Sequence, residues 1–296
     1  EDKHEETVAY NRLGVVHHAI REYEVALKWN LKYLKIVQQV GDKEEQIVHT
    51  NVGTTYRLLG KLDQATFHYN TALHMAKQRG DQQGQMEVYF NMGELQMEQL
   101  HSPHTAIQYY KQALALARQL GERHGGGLAY RRLGLAHYEM REFETALEWS
   151  KKHLKMSQED GDKEQQVTAH SNVGDAYRFL GKLNEATSHF NTALQMAQQT
   201  GDQHGQMDIC FQMGETQREQ LHSPRTSIKY YEHALAVARQ LGERHEEGRA
   251  YDRLGRVHFE LKKYEKALDS YQKYLTMKEE ESDKQAQITA HKNMAK

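Results

Sequence analysis

Three consecutive glycines in RHGGGLAYRRLG, residues 123–134, stand just before an arginine pair. Such a stretch could form an anion cradle, in which backbone N–H groups converge on a phosphate. A working cradle also needs a following Lys and Ser/Thr, and GGGLAY supplies neither. The equivalent stretch RHEEGRAYDRLG, at 244–255, has glutamate in place of two of the glycines. The pattern therefore predicts a loosened turn, each glycine costing the first helical turn about 1 kcal/mol relative to alanine. The chain's 19 histidines raise the question of a metal, but only His101 and His104 form a near pair beside a turn, and their copy reads His222 and Arg225. That is not a ligand set, and no metal or other cofactor is expected. Cys210 is the sole cysteine. It lies on an apolar-patterned helix, where an inert core thiol is expected, and it cannot form an internal disulfide, which fits a reducing, intracellular compartment. No catalytic constellation emerges, and the chain is expected not to be an enzyme.

The chemistry that remains is hydrogen bonding. The position two residues before each of seven recurring glycines reads Arg12, Asn51, Asn91, Arg132, Asn172, Gln212 and Arg253. All can donate; amides also accept, and guanidinium forks match carboxylates. A ladder of this kind can grip the carbonyls and acidic side chains of an extended peptide. Arg57, Arg131 and Arg178 are expected to join it, as is Arg256, while Glu87, Glu94, Asp208 and Glu215 interrupt the positive charge. Phe90 and Phe211 occupy equivalent places, where they either seat apolar anchors of a ligand or pack between repeats.

The elements that position this ladder follow from internal repetition. NVGTTYRLLGKLDQATFHYNTALHMAKQ at 51–78 returns as NVGDAYRFLGKLNEATSHFNTALQMAQQ at 172–199, with about two-thirds of positions identical. Beneath that lies a period of about 40 residues, marked by Gly14, Gly53, Gly93, Gly134, Gly174, Gly214 and Gly255. In one period Val48, Val52, Tyr56 and Leu59 form a helical stripe, with Gly53 leaving room for a neighbouring helix. Gly60 suits a left-handed helix end, and Ala65, Tyr69, Ala72, Leu73 and Ala76 then share one face of a second helix. Gly-Asp pairs at 41–42, 80–81, 161–162 and 201–202 end one helix and cap the next. Ser102-Pro103 and Ser223-Pro224 read as an N-cap with a first-turn proline. Trp29 and Trp149 read as inter-helix packing, and His17, His137 and His258 as hydrogen-bonded or partly buried residues at a packing position.

A two-helix unit cannot bury its apolar face alone, so the units must stack into a solenoid. The apolar residue followed by Gly, with an aromatic or His three residues later and Ala about twelve and nineteen later, resembles the tetratricopeptide repeat. Val52-Gly53-Tyr56-Ala65-Ala72 and Val173-Gly174-Tyr177-Ala186-Ala193 carry the pattern. The resemblance implies an all-α, right-handed superhelical solenoid of antiparallel helix pairs, with repeats at approximately 3–41, 42–80, 81–121, 122–161, 162–201, 202–242 and 243–282. Residues 283–296 copy the start of a first helix and are expected to be a partial repeat or a cap. The N-x-G-x-x-Y pattern and the Gly-Asp junctions are most similar to the LGN/Pins class of adaptors, in which Asn and Arg at the ladder position line a peptide groove.

A formal charge of −2 gives no general field for nucleic acid, and no apolar run reaches membrane-spanning length. The expected partner is therefore an extended protein segment. The alternatives are self-association or service as the sensor or regulatory part of a larger signalling protein.

Overall fold

The computed structural model describes residues 2–40, 44–220 and 222–294, and among these it holds fourteen α-helices and no strand. The helices are α1 Asp2–Ala19, α2 Tyr23–Val40, α3 Glu45–Leu58, α4 Leu62–Arg79, α5 Gln82–Glu98, α6 Pro103–Leu120, α7 Arg123–Glu139, α8 Phe143–Asp160, α9 Lys163–Phe179, α10 Leu183–Thr200, α11 Gln203–Glu215, α12 Pro224–Leu241, α13 Arg244–Glu260 and α14 Tyr264–Met294. A short π-helical stretch, Thr216–Gln220, follows α11. The chain divides into two compact units, 1–153 and 154–296, with the division inside α8. In the first, α1 pairs with α2, α3 with α4 and α5 with α6; in the second, α9 pairs with α10, α11 with α12 and α13 with α14.

The recurring glycines set the closeness of each pair. A Cβ at Gly53 would lie 2.8 Å from the Tyr69 ring, and one at Gly174 would lie 2.7 Å from the Phe190 ring. Gly93, Gly214 and Gly255 stand likewise against Tyr110, Tyr231 and Tyr271. In these five hairpins the ring on the second helix thus occupies the space that the first helix leaves by having no side chain there, whereas Gly14 and Gly134 face Asn30 and Ser150. Tyr69, Phe190 and Tyr231 are completely buried, as are Ala65, Ala72, Ala186, Ala193 and Ala234 beside them. Burying such a ring is worth about 1.5–3 kcal/mol, so each contact contributes to hairpin stability.

The junctions follow the expected caps. Gly80, Gly121, Gly161, Gly201 and Gly242 all have left-handed φ between 67° and 73°. The carboxylates of Asp81, Asp162 and Asp202 then accept the N–H of Gly84, Gln165 and Gly205, at 2.9, 3.0 and 2.8 Å. The Gly41-Asp42 junction lies outside the described residues. Inside the hairpins Gly60 ends α3 as expected, at φ 69°. Arg21, Arg141 and Lys262 hold the same left-handed turn without glycine.

One expectation needs correction. Gly125, Gly126 and Gly127 belong to the first turn of α7 and form no loosened turn ahead of it. Ser102 and Ser223 stand at the N-caps of α6 and α12 with proline in the first turn, as expected, although neither hydroxyl bonds a helix N–H; Ser102 Oγ lies 2.9 Å from Thr105 Oγ1. Residues 283–294 continue α14 as one helix.

Candidate functional site

The ladder positions sit on the first helix of each hairpin, one face away from the glycine–ring contact. In the first unit Asn51 lines a cavity of about 150 Å³ together with Gly14, His18, Asn30, Thr54 and Thr55. Thr54 Oγ1 lies 3.3 Å from Asn91 Oδ1, and Asn91 Nδ2 donates to the Glu87 carbonyl at 3.0 Å. Next along this face, Arg57 donates to Glu94 at 3.2 Å and to Glu98, while Arg132 pairs with the other oxygen of Glu94. One carboxylate is therefore clamped by guanidinium groups from the hairpins before and after it. Burial opposes the charge on Arg57, yet Tyr69, Glu94 and Glu98 outweigh it and hold its pKa above the ordinary value. Beside them, burial and the like charge of Arg132 push Arg131 down. Arg12 is exposed on α1.

The second unit repeats the positions with different wiring. Asn172 and Gln212 line a cavity of about 210 Å³, bounded also by Ser171, Asp202, Asp208 and Arg249. Ser171 Oγ donates to Gln212 Oε1 at 2.6 Å, and Gln212 Nε2 donates to Asp175 at 2.7 Å. Arg178 pairs with Asp175 at 2.9 Å. Burial raises the Asp175 pKa, although Arg178 and Gln212 pull the other way. Burial also raises that of Asp208, which Arg249 opposes. Arg253 pairs with Glu215 at 2.7 Å, and Arg218 reaches Glu215 at 3.1 Å and Glu260 at 2.7 Å. Arg256 turns to Asp252 on its own helix. The alternation of charge expected along this face is thus neutralised largely within the protein.

Two amides differ from this. Among the described residues, neither Asn51 nor Asn172 forms a side-chain hydrogen bond, and each borders an open cavity. Phe90 and Phe211 are 8% and 1% exposed. Their rings pack at 6.5 Å from Tyr110 and 6.4 Å from Tyr231, and the Arg249 guanidinium lies over Phe211. They are buried inside their hairpins and present no free face to an anchor.

The other chemical candidates resolve plainly. The Gly125 N–H donates to the Glu122 carboxylate, so the chain's own acidic group sits at the head of the three glycines. Among the described residues no group of three or more His, Cys, Asp or Glu converges as a metal site. Cys210 is fully buried near His233, and burial pushes its thiol up to about 12. His17 and His137 bond to Glu22 and Glu142, at 2.7 and 2.6 Å. Trp29 and Trp149 stack on Tyr10 and Tyr130.

Sequence reasoning missed two histidine pairs. His49 and His68 meet with Nδ1 atoms 2.8 Å apart, and His170 and His189 repeat the arrangement at 2.9 Å. Burial followed by the neighbouring imidazole lowers His68 and His170 to about 4. The only signal was their recurrence 121 residues apart.

Comparison with known proteins agrees with this architecture. Models of the tetratricopeptide repeat match residues 5–78, 84–159, 167–200 and 212–280. The chain belongs to the tetratricopeptide repeat family. No curated protein matches it. Among solved structures it is similar to a signal transduction ATPase with numerous domains from Pyrococcus horikoshii that carries a tetratricopeptide repeat sensor. That likeness has a TM-score of 0.76 and 14% identity over 94% of this chain and 43% of that one, so the chain spans less than half of this relative. The apo form of RapI aligns with a TM-score of 0.73 and 12% identity, over 94% of this chain and 99% of that one. The Rap conjugation gene regulator of plasmid pLS20, in complex with the Phr* peptide, aligns with a TM-score of 0.62 and 14% identity, over 92% and 73%.

Proposed function

We propose that this chain is a non-enzymatic, intracellular adaptor that captures an extended peptide segment of a partner protein along the first-helix face. The observation that carries this reading is the pair of equivalent amides, Asn51 and Asn172, each on an open cavity and each with its hydrogen-bonding capacity unspent. An extended peptide offers one carbonyl and one N–H per residue, and a side-chain amide satisfies both. Asn91, Gln212, Arg132 and Arg253 extend the row, with Arg12, Arg57, Arg131 and Arg178 supplying charge that a ligand reaches by exchanging with Glu94, Asp175 or Glu215. Phe90 and Phe211 support this face from beneath. The peptide-bound Rap structure supports the reading in showing the same fold with a peptide. The Asn-x-Gly-x-x-Tyr pattern keeps the LGN/Pins class as the reading of its subfamily.

The test is selection of a random peptide library on the chain, followed by affinity measurement on the Asn51→Ala/Asn172→Ala variant. Each lost amide contact is worth about 1 kcal/mol, so the double variant binds the selected peptide at least about tenfold more weakly. Equal affinity of the two proteins refutes the reading. A second reading, in which the array is the sensor part of a larger signalling protein, is favoured by the likeness to the sensor-bearing ATPase. It predicts that peptide binding alters an effector domain joined to this chain.

A further inference from the structure

Leu268 and Leu275 on α14 are 59% and 57% exposed, although the same places in another hairpin are core. Tyr264, Ala267 and Leu268 repeat Tyr23, Ala26 and Leu27 of α2, which aligns Leu275 with Leu34. Leu27 and Leu34 are 9% and 6% exposed, and they pack in one cluster with Val48 and Val52 of α3. The first helix of the following hairpin is what covers them.

The chain carries the sequence of such a helix directly after α14's apolar stripe. DKQAQITAHKNM at 283–294 is identical to DKEQQVTAHSNV at 162–173 in seven of twelve positions. Ile288, Ala290 and Met294 stand where α9 has Val167, Ala169 and Val173, which are 2%, 0% and 0% exposed. Gln287 keeps a further device. Gln85, Gln166 and Gln206 each donate Nε2 to the carbonyl nine residues back, that of Ala76, Ser157 or Ala197, and so tie a first helix to the end of the preceding one. The corresponding acceptor for Gln287 is the Lys278 carbonyl.

The structure does not fold this segment back, since α14 continues to Met294. The five left-handed glycines from Gly80 to Gly242 break the chain at the other described junctions, and the register puts Ser282 at this place. A residue with a Cβ resists the left-handed conformation, so the helix runs on.

We propose that the Leu268–Leu275 stripe is the seat of residues 283–294 of the same chain, folded back at Ser282 as the first helix of a further hairpin. The straight α14 is then the undocked state, and Ser282 sets the balance between the two.

The test is the Leu275→Cys/Ala290→Cys variant, which places thiols at the counterparts of Leu34 and Val48. On a straight helix these positions lie about 22 Å apart, far outside the separation of about 7 Å that a disulfide spans. Cys210 is buried and leaves oxidation to the introduced pair. The expected result is an intramolecular disulfide whose rate is independent of protein concentration, is raised by Ser282→Gly and is lowered by Ser282→Ala. A disulfide-linked dimer overturns the proposal in favour of a second copy as occupant. A folded protein, by circular dichroism, that forms no disulfide overturns it outright, and a donor–acceptor dye pair on the same cysteines reads the distance without requiring a bond.

Discussion

The Tyr69 ring occupies the space that a side chain at Gly53 would need, with Cδ1 and Cε1 both 2.8 Å from where a Cβ would lie. In an ordinary helix Gly→Ala is favourable by about 1 kcal/mol. Here the buried ring must move, and overpacking of a core costs about 1–3 kcal/mol. Gly53→Ala is therefore expected to lower stability in a urea titration. Gly248→Ala is expected to raise it by about 0.5–1 kcal/mol, because the nearest atom to a Cβ there is 3.6 Å away.

The clamped carboxylate gives a second expectation. Glu94→Ala leaves Arg57, 7% exposed, with Glu98 as its remaining carboxylate partner and releases Arg132. Hydrogen bonds to charged groups contribute about 1.5–3 kcal/mol, so a loss near 2 kcal/mol is expected in the same titration. Asp269→Ala, which breaks the exposed pair with Lys273, is expected to change stability by less than about 0.5 kcal/mol.

The histidine pairs make stability depend on pH. His68 and His170 are held at about 4, below the 6.5 of an unfolded histidine. Between these values the unfolded chain binds protons that the folded chain does not. The stability of the pairs is thus complete above about pH 6.5 and falls as pH drops toward 4. Each proton taken up on unfolding contributes a slope of about 1.4 kcal/mol per pH unit. Denaturation midpoints from pH 4.5 to 7.5 measure this, and His68→Gln with His170→Gln is expected to flatten the profile.

Cys210 should react with a thiol reagent only when the protein unfolds, because its thiol is fully buried and raised to about 12. Labelling at pH 8 as a function of urea is expected to track loss of circular dichroism. Labelling well before that transition would show that the Cys210 helix opens locally.

The hairpins and their junctions were legible in the sequence because glycine leaves a conformational signature: Gly60, Gly80, Gly161 and Gly201 end helices as the pattern demands. The groove was less legible. Arg57 was expected on an open face, yet it is 7% exposed. In a stacked array a first helix touches its own partner and the neighbouring hairpins, so the buried arc is wider than one apolar stripe reveals. The cross-helix contacts of His49 with His68, and of Ser171 with Gln212, depend on side-chain reach across helices and leave no local pattern. Gly125–Gly127 misled in the opposite sense, since burial within α7 outweighs the weak helix preference of glycine.

The Arg57–Glu94–Arg132 clamp also bears on how such a chain can change through descent. It joins three consecutive hairpins by alternating charge, and Arg178, Glu215 and Arg253 preserve the same order of signs 121 residues later. Deleting the hairpin that contains Glu94 would bring two guanidinium groups into one register. Deleting three hairpins together would leave the order of signs intact. Recombination that keeps the protein folded is thus expected to add or remove hairpins in threes, and the long internal duplication has that length.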